Sequence, residues 1–197
     1  MRFAPDQNGN GVYFESCCDN AHNAYYHFSG DALGSVFNLA QGRISFLLTS
    51  RYNLQQRAMA SSFRAVMDVR DDNPSNHLIY FITQVISGRL VISYTVGGAP
   101  QYYYVPVGTE DKLFGTGAVL QVALTWTGQT LNLYLNGTLV NSSAYTPFPA
   151  KWSNASVFDL GAYEYSNSGG YDSCDDIIGN FTIGNSPELD GTSVPNP

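Results

Sequence analysis

Short apolar runs alternate with turn signals along most of the chain. Within these runs apolar residues either alternate with polar ones or form β-branched and aromatic stretches, which is typical of strands. A helical period is suggested only at Asn53–Met59. The pattern predicts strands at Ala24–Phe28, Arg43–Ser50, Phe63–Val69, His77–Val85, Leu90–Val96, Gln101–Val105, Val119–Trp126, Thr130–Leu135, Thr138–Ser142, Ser156–Leu160 and Ile177–Ile183. Their regular spacing indicates an all-β sandwich.

Several turns between these runs carry residues that tolerate a positive φ. Ser87-Gly88, Gly97-Gly98, Gly128-Gln129 and Asn136-Gly137 each separate two strand patterns and predict hairpins. The segment Asp71–Pro74 is predicted to be a polar loop with solvated carboxylates, because the residue before a proline is disfavoured in helices.

Alternation in the strand Phe63–Val69 assigns its side chains to two faces. One face is predicted to carry Phe63, Ala65, Met67 and Val69, and the other Arg64, Val66 and Asp68. Arg64 and Asp68 are the polar members of their face, and we include both among the candidate ligand-binding residues.

The end of the chain differs in composition from the rest. Residues 186–197 contain three prolines and no apolar periodicity, which predicts a linker or tail. Residues 1–185 are predicted to form one domain, since sandwiches of this size commonly fold as a unit. The start at Met1 and the proline-rich end suggest a monomeric module of a multidomain chain.

Charge and composition limit the partners. Nine Lys and Arg against sixteen Asp and Glu give a net charge of −7, which argues against nucleic acid as a partner. The apolar runs are too short to cross a bilayer, which argues against membrane insertion. Polar positions are rich in Ser, Thr, Asn, Gln and Gly, a composition frequent in extracellular or cell-surface modules.

The three cysteines lie near opposite ends of the chain, at Cys17, Cys18 and Cys174. In an oxidising compartment two of them could join the terminal strands. Adjacent residues of a strand point to opposite faces, so only one of Cys17 and Cys18 is expected to reach Cys174. We choose Cys18 with Cys174; three separate buried thiols are the alternative.

One segment resembles a known superfamily. Leu120–Val140, LQVALTWTGQTLNLYLNGTLV, contains an alternating strand that ends at Trp126, a tight polar turn, a second strand and an Asn-Gly turn. It resembles the laminin-G-like, concanavalin A-like lectin and glucanase superfamily. Further matches are GRISFLLTSRY at Gly42–Tyr52, Trp152, VFDLGAYEY at Val157–Tyr165 and DDIIGNFTI at Asp175–Ile183.

The resemblance is closest over Ala118–Ile183 and has implications for fold and core. It implies a two-sheet antiparallel jelly roll of the concanavalin A-like type, with its first and last strands joined. It also places Trp126 and Tyr134 at core positions. A fold of this kind does not determine chemistry, because function resides in particular sites.

Catalytic motifs are missing from the sequence. A retaining glycosidase needs two carboxylates about 5 Å apart, and the superfamily's glucanase signature Glu-x-Asp-x-x-Glu does not occur here. The histidines stand in no Ser/His/Asp or Cys/His context, and a nucleophile elbow is absent. We therefore expect that the chain is not an enzyme, although a polysaccharide-cleaving enzyme remains an alternative.

Tyrosine is the most suggestive residue for ligand binding, because sugars stack on aromatic faces beside a few fixed polar groups. Tyr163, Tyr165 and Tyr171 lie in the Gly- and Ser-rich segment Gly161–Ser173, which is predicted to be a loop. His77, beside the polar loop Asp71–Asn76, is a further candidate. Consecutive tyrosines at 102–104 must divide between the two faces of their strand, so at least one is expected in the core.

A calcium ion is a further expectation, since many members of the superfamily carry one and hard cations prefer carboxylate and carbonyl oxygens. Asp172, Asp175 and Asp176 could meet Asp19, or Asp31, if the terminal strands pair. A solvated acidic run is the alternative.

Together these observations favour a non-catalytic carbohydrate-binding or adhesion module of a larger extracellular protein, with a glycan or an extracellular protein as partner. A structural or protein-interaction domain is the main alternative.

Overall fold

Strands dominate the described chain. The computed structural model describes residues 2–3, 12–13, 26–53, 55, 63–146, 149–166, 170–173 and 176–187, and only the backbone at 2–3, 12–13, 163–166 and 170–173. The strands are β1 Arg2–Phe3, β2 Val12–Tyr13, β3 Tyr26–Ser29, β4 Gln41–Thr49, β5 Phe63–Arg70, β6 His77–Ile86, β7 Arg89–Val96, β8 Gln101–Tyr104, β9 Val119–Thr127, β10 Thr130–Leu135, β11 Thr138–Ala144, β12 Val157–Leu160, β13 Ala162–Ser166, β14 Gly170–Ser173 and β15 Ile177–Gly184. The short helices α1 Leu33–Val36 and α2 Glu110–Phe114 were not predicted.

Two antiparallel sheets pack face to face, which confirms the predicted sandwich. The seven-stranded sheet has the order β1-β2-β15-β4-β9-β10-β11, and the six-stranded sheet has the order β3-β12-β5-β6-β7-β8. Two predicted hairpin turns have the expected backbone: φ is 51° at Ser87 and 77° at Gly88, and 50° at Asn136 and 74° at Gly137. Positive φ at both central residues matches the right-handed twist of the flanking strands.

The core lies between the two sheets. Its largest fully buried side chains are Trp126, Tyr94, Phe37, Phe46, Phe81, Phe114, Ile44, Leu48, Met67 and Leu78. Burying each large apolar side chain stabilises the fold by about 1.5–3 kcal/mol. Phe46 from β4 meets Phe81 from β6 edge to face, with ring centroids 5.2 Å apart, so the two sheets interlock near their centre.

One of the two predicted core aromatics is in the core. Trp126 is 1% exposed, and its Nε1 donates a hydrogen bond to the carbonyl oxygen of Asn38 at 2.8 Å. Tyr134 is half-buried and lies outside the core cluster, so its assignment was wrong. Leu133 and Leu135 take the inward positions of β10, which leaves Tyr134 on the opposite face.

A β-bulge changes the face assignment predicted for β5. Ala65 pairs with Ile82 and Met67 with Phe81, so Val66 is an extra residue in the ladder. Met67 and Val69 face the core as predicted, but Val66 joins them there. Phe63 and Ala65 instead pack on the opposite side with Ile82, because an inserted residue reverses the alternation before it.

A second bulge lies in β6. Val69 pairs with Ile79 and Arg70 with His77, so Leu78 has no partner of its own on β5. Leu78 and Ile79 both enter the core. Consequently His77 lies on the same side of the sheet as Tyr80, three residues further along, which simple alternation would not allow.

The predicted loop Gly161–Ser173 is instead a hairpin at its described positions. Ala162–Ser166 pairs antiparallel with Gly170–Ser173. Both of its strands contact β5, and the Gly161 N–H donates to the carbonyl of Val66, the bulged residue, at 2.7 Å. The cross-strand pairing of β13 with β14 and the hydrogen bond from Gly161 to Val66 therefore override the local preference of glycine and serine for loops.

The predicted polar loop after β5 is confirmed, but one of its carboxylates is not solvated. Asp71 is buried. Its Oδ1 accepts the Asn73 N–H at 3.0 Å, and its Oδ2 accepts the Lys151 N–H at 3.2 Å and the Asn76 side-chain amide at 3.4 Å. Asp72 is exposed as predicted. Asp71 therefore holds this loop in one conformation.

Strands from the two ends of the chain meet as the resemblance implied. Ile177 and Ile178 of β15 pair with Tyr13 and Val12 of β2. The cysteines at 17, 18 and 174, residues 54 and 56–59, and residues 188–197 lie outside the described residues. Within the predicted helix Asn53–Met59, Gln55 is helical; the rest of that helix, the disulfide and the tail remain predictions. Among the described residues, no helix is long and apolar enough to span a membrane.

Candidate ligand-binding face

A row of polar side chains crosses the outer face of the six-stranded sheet, the face turned away from the core. Successive cross-strand partners are His27 on β3, Asp159 on β12, Asp68 on β5, Tyr80 on β6 and Thr95 on β7. Their pairing in register places them side by side on one surface. All but His27 are buried, with Asp68 and Asp159 at 0% exposure.

One arginine joins the two buried carboxylates. Nη2 of Arg70 donates to Oδ2 of Asp159 at 2.8 Å. Nε of Arg70 lies 3.2 Å from Oδ2 of Asp68. The two atoms form an ion pair, but their geometry is not that of a hydrogen bond. One guanidinium offsets only one of two carboxylates, so the group needs further polar partners to remain buried.

Two histidines supply those partners at either end. Nδ1 of His77 is 2.9 Å from Oδ1 of Asp68, and Nδ1 of His27 is 2.7 Å from Oδ1 of Asp159. The His27 side chain is 47% exposed and that of His77 is 18% exposed. The network therefore runs from solvent at the β3 edge, through buried charges, to a partly open position on β6.

Burial dominates the electrostatics of both carboxyls. Desolvation raises the pKa of Asp68 above its ordinary value, although the hydrogen bond to His77 and the charge of Arg70 act in the opposite direction. Desolvation likewise raises the pKa of Asp159, against the lowering effect of His27 and Arg70. Both carboxyls are fully buried, and each contacts one histidine ring; the ligand-binding role of Asp68 remains a prediction.

A small pocket opens beside His77. It has a volume of about 200 Å³ and is lined by Ser75, Asn76, His77, Leu78, Gly97 and Gly98. Asp71 fixes the loop on one side through its bond to Asn76. On the other side, Thr95 donates to the carbonyl of Gly98 at 2.8 Å. The pocket is smaller than the ~300–1,000 Å³ typical of ligand sites, which fits one small polar group.

The edge strand β8 presents two tyrosines on the same outer face. Tyr102 is 49% exposed and Tyr104 is 47% exposed, whereas Tyr103 packs against the core. This division confirms the prediction that consecutive tyrosines would separate. Two residues along a strand correspond to about 7 Å, so the two rings occupy neighbouring positions on the same face and form an aromatic edge.

Polar groups lie directly beside this edge. Ser93, the cross-strand partner of Tyr102, is 3.4 Å from the Tyr80 hydroxyl. Burial raises the pKa of Tyr80, and the nearby hydroxyl of Tyr102 adds to the rise. The outer face thus combines aromatic rings with hydroxyl groups, the two features that sugar recognition requires.

The other candidate ligand residues from the sequence have different positions. Arg64 is 2% exposed, with its guanidinium carbon 5.3 Å from the Tyr52 ring centroid. The backbones of Tyr163, Tyr165 and Tyr171 lie in the β13–β14 hairpin, and their side chains are outside the described residues. Their proposed binding role remains a prediction.

The calcium prediction can be examined at two of its candidate ligands. Asp31 is exposed. Asp176 is fully buried, and its Oδ1 accepts the Arg51 N–H at 3.1 Å. The side chain of Asp172 and all of Asp175 and Asp19 lie outside the described residues. Within the described part of the chain, no three His, Cys, Asp or Glu side chains cluster as a metal site. Calcium therefore remains a prediction.

The sequence did not predict three parts of this face. They are the tyrosines Tyr102 and Tyr104, the arginine Arg70, and the pair formed by Asp159 and His27. Alternation within Gln101–Val105 already required two of three tyrosines on one face, which was the available signal for Tyr102 and Tyr104. The pairing of β12 with β3 and β5 had no comparable signal, because these strands are distant in sequence.

The paired carboxylates do not have the arrangement of a glycosidase site. Asp68 and Asp159 are neighbours across two adjacent strands, fully buried and bridged by Arg70. Hydrolysis requires carboxyls that flank a bound glycosidic bond in an accessible cleft. This geometry favours a structural role for the pair, and the absence of enzyme activity remains an expectation.

No family model and no curated protein sequence matches the chain. Solved structures do. A native heptameric SAP-like pentraxin from Limulus polyphemus matches over 79% of this chain and 68% of its own, with 14% identity and a TM-score of 0.57. Mouse laminin alpha1 chain domains LG4-5 match over 85% of this chain and 40% of their own, with 14% identity and a TM-score of 0.52. A botulinum neurotoxin type C structure matches over 92% of this chain and 40% of its own, with 14% identity and a TM-score of 0.57.

These similarities extend over most of the sandwich. The chain has the concanavalin A-like jelly-roll fold. This confirms the fold implied by the resemblance to laminin-G-like domains. The chain spans about 40% of the laminin and neurotoxin chains that it matches. At 14% identity the similarity to these structures establishes the fold alone, and the function of this jelly roll must be argued from its own side chains.

Proposed function

We propose that this chain is a non-catalytic carbohydrate-binding module that holds its ligand on the outer face of the six-stranded sheet. The observation that carries the proposal is the exposed pair Tyr102 and Tyr104, which share one face of an edge strand. Single exposed apolar side chains are common, but two exposed aromatic rings on one face of the same strand form a patch of the kind that marks a binding surface. Two adjacent rings provide a stacking surface for the apolar faces of sugar rings.

Hydroxyl and amide groups around the pair supply the directional contacts. Ser93 and Tyr80 beside Tyr102 are buried, so the accessible polar groups are the hydroxyls of Tyr102 and Tyr104 and, in the small pocket, Asn76 and His77. A few fixed polar groups beside an apolar surface are the usual composition of a small-ligand site. A saccharide matches such a surface better than a flat apolar protein patch does.

The comparisons add support at the level of ligand class. Cell entry of botulinum neurotoxin type C depends on interaction with two ganglioside molecules, which are glycolipids. That statement concerns the neurotoxin, of which this chain covers 40%. It supports the proposal because a jelly roll of this type occurs within a protein that recognises glycans.

The test is a glycan array screened with the wild type, Tyr102→Ala and Tyr104→Ala. Each substitution removes one stacking ring, worth about 0.5–1.5 kcal/mol beyond buried area, so affinity should fall about tenfold. Leu139→Ala is the matched control, since Leu139 is 50% exposed on the opposite sheet. Binding that is equal in all four proteins would reject this face as the site.

The same screen tests the proposed calcium ion when it is repeated with a chelator and with thermal melting. Binding and melting temperature that both fall with chelator would support a structural calcium. An unchanged melting temperature would discard it. Absence of glycan binding by a folded wild type would favour the protein-interaction alternative.

A further inference from the structure

Arg89 lies at the end of the tyrosine edge. It is the first residue of β7, and its guanidinium carbon is 5.2 Å from the ring centroid of Tyr104. Alternation along β7 places Arg89 on the same face as Val91, whose cross-strand partner is Tyr104. Arg89, Tyr104 and Tyr102 therefore follow one another along one side of the outer face.

The side chain of Arg89 is exposed to solvent. Among the described residues no carboxylate forms an ion pair with Arg89, and its side chain is exposed. Arg70, on the same face, is by contrast buried between Asp68 and Asp159. In a chain with a net charge of −7, an exposed arginine that has no acidic partner in the described part of the chain is available to an external anion.

We infer that Arg89 makes this face selective for acidic saccharides, whose carboxylate or sulfate group binds the guanidinium while a sugar ring stacks on the adjacent tyrosine. This inference rests on the proposed function and specifies its ligand class. A guanidinium stacked on an aromatic ring keeps its N–H edge free to donate two parallel hydrogen bonds. Such bidentate contacts are among the stronger hydrogen bonds in water.

Because the protein carries a net negative charge, any preference for acidic ligands must arise from short-range contacts. Long-range attraction of an anion is unfavourable, so the preference must arise from direct contact with Arg89. A contact between exposed charges is screened by salt, with a Debye length of about 10 Å at 0.1 M. The preference for acidic ligands should therefore weaken as salt is added, whereas stacking on the tyrosines should persist.

The experiment measures binding of each protein to paired probes. The first pair is an oligosaccharide ending in a uronic acid and the same oligosaccharide with its carboxylate reduced to an alcohol. The second pair is a sulfated oligosaccharide and its desulfated form. Wild type should prefer the acidic member of at least one pair about tenfold, the value of one charge-assisted hydrogen bond. The pair that responds distinguishes carboxylate from sulfate.

Arg89→Gln should remove this preference and leave the neutral probe bound within about twofold. Arg89→Lys, which keeps the charge but loses the planar fork, should retain part of it. Lys112→Gln is the matched control, because it removes one exposed positive charge in α2, a helix that contacts β9 of the other sheet. Melting temperatures establish that all four proteins are folded.

Two results would overturn the inference. If Arg89→Gln prefers acidic probes as strongly as the wild type does, Arg89 does not determine selectivity. If the wild type binds both members of each pair equally, the face is not selective. In either case, loss of binding in Tyr102→Ala would leave the proposed function intact. The proposed function fails separately, if the folded wild type binds none of the probes.

Discussion

Aromatic residues of this chain take opposite environments at closely spaced positions. Tyr102 and Tyr104 are about half exposed, while Tyr103 between them packs on the core. Trp126 is buried in β9, whereas Tyr134 on the neighbouring strand β10 faces away from the core. Successive side chains of a strand point to opposite faces of the sheet, so the position of each ring along its strand determines whether it is buried. A buried ring should contribute more to stability than an outward-facing one.

Trp126→Ala should reduce the free energy of unfolding by about 3–5 kcal/mol, because it empties a core position and leaves the carbonyl of Asn38 without its indole donor. Tyr134→Ala, on the outer side of the same sheet, should cost clearly less. Chemical denaturation of both variants measures the two values. Equal losses would show that the packing of Trp126 adds nothing beyond that of a half-buried ring.

At the scale of elements, two bulges and one hairpin shape the outer face. The extra residue Leu78 keeps His77 beside Tyr80, and the extra residue Val66 accepts the hydrogen bond that anchors Gly161. The β13–β14 hairpin contacts β5, the strand that carries Asp68 and Arg70. Bulges commonly redirect side chains next to binding sites, as they do here.

This placement gives the hairpin tyrosines a testable role. Tyr163→Ala or Tyr165→Ala should weaken glycan retention several-fold with little change in melting temperature, if their rings border the ligand on the outer face. Affinity chromatography on the best glycan from the array measures retention, with Leu139→Ala as the control. Unchanged retention in both variants would remove the hairpin from the site.

The charged network acts at the scale of the whole sheet. It links β3, β12, β5 and β6 through His27, Asp159, Arg70, Asp68 and His77. Buried ion groups of this kind are costly to break but contribute little net stability. Their effect on the fold should therefore depend on protonation.

The raised pKa values of Asp68 and Asp159 determine the sign of this dependence. Below pH 3.8, their ordinary pKa, both carboxyls are protonated in the folded and the unfolded chain. As the pH rises further, the unfolded chain loses these protons first, because the folded pKa is higher. The folded state then binds more protons, so this contribution to the free energy of unfolding falls with rising pH through the folded pKa.

The double variant Asp68→Asn and Asp159→Asn lacks this contribution. The unfolding free energy of the wild type minus that of the variant should therefore decrease from pH 3.8 towards neutrality. Denaturant titrations at a series of pH values measure this difference. A difference that grows with pH would mean that Arg70 and the histidines lower the carboxyl pKa values more than burial raises them.

Local patterns in the sequence were sufficient for most of the strands and hairpins. Apolar alternation, Ser87-Gly88 and Asn136-Gly137 predicted β4 to β12 and β15 to within a few residues, because period and turn chemistry are local properties. The superfamily resemblance added the sandwich arrangement and the burial of Trp126. The separation of the tyrosines on β8 also followed from parity alone.

Other features depend on strands that are far apart in the sequence. A bulge is decided by how two strands pair, so the inward turn of Val66 and the outward position of His77 could not be read from either strand alone. The burial of Asp68 beside Asp159 needs β12 to lie between β3 and β5. Tertiary pairing therefore decided the face on which the candidate site lies, because cross-strand neighbours are brought together only when the sheet forms.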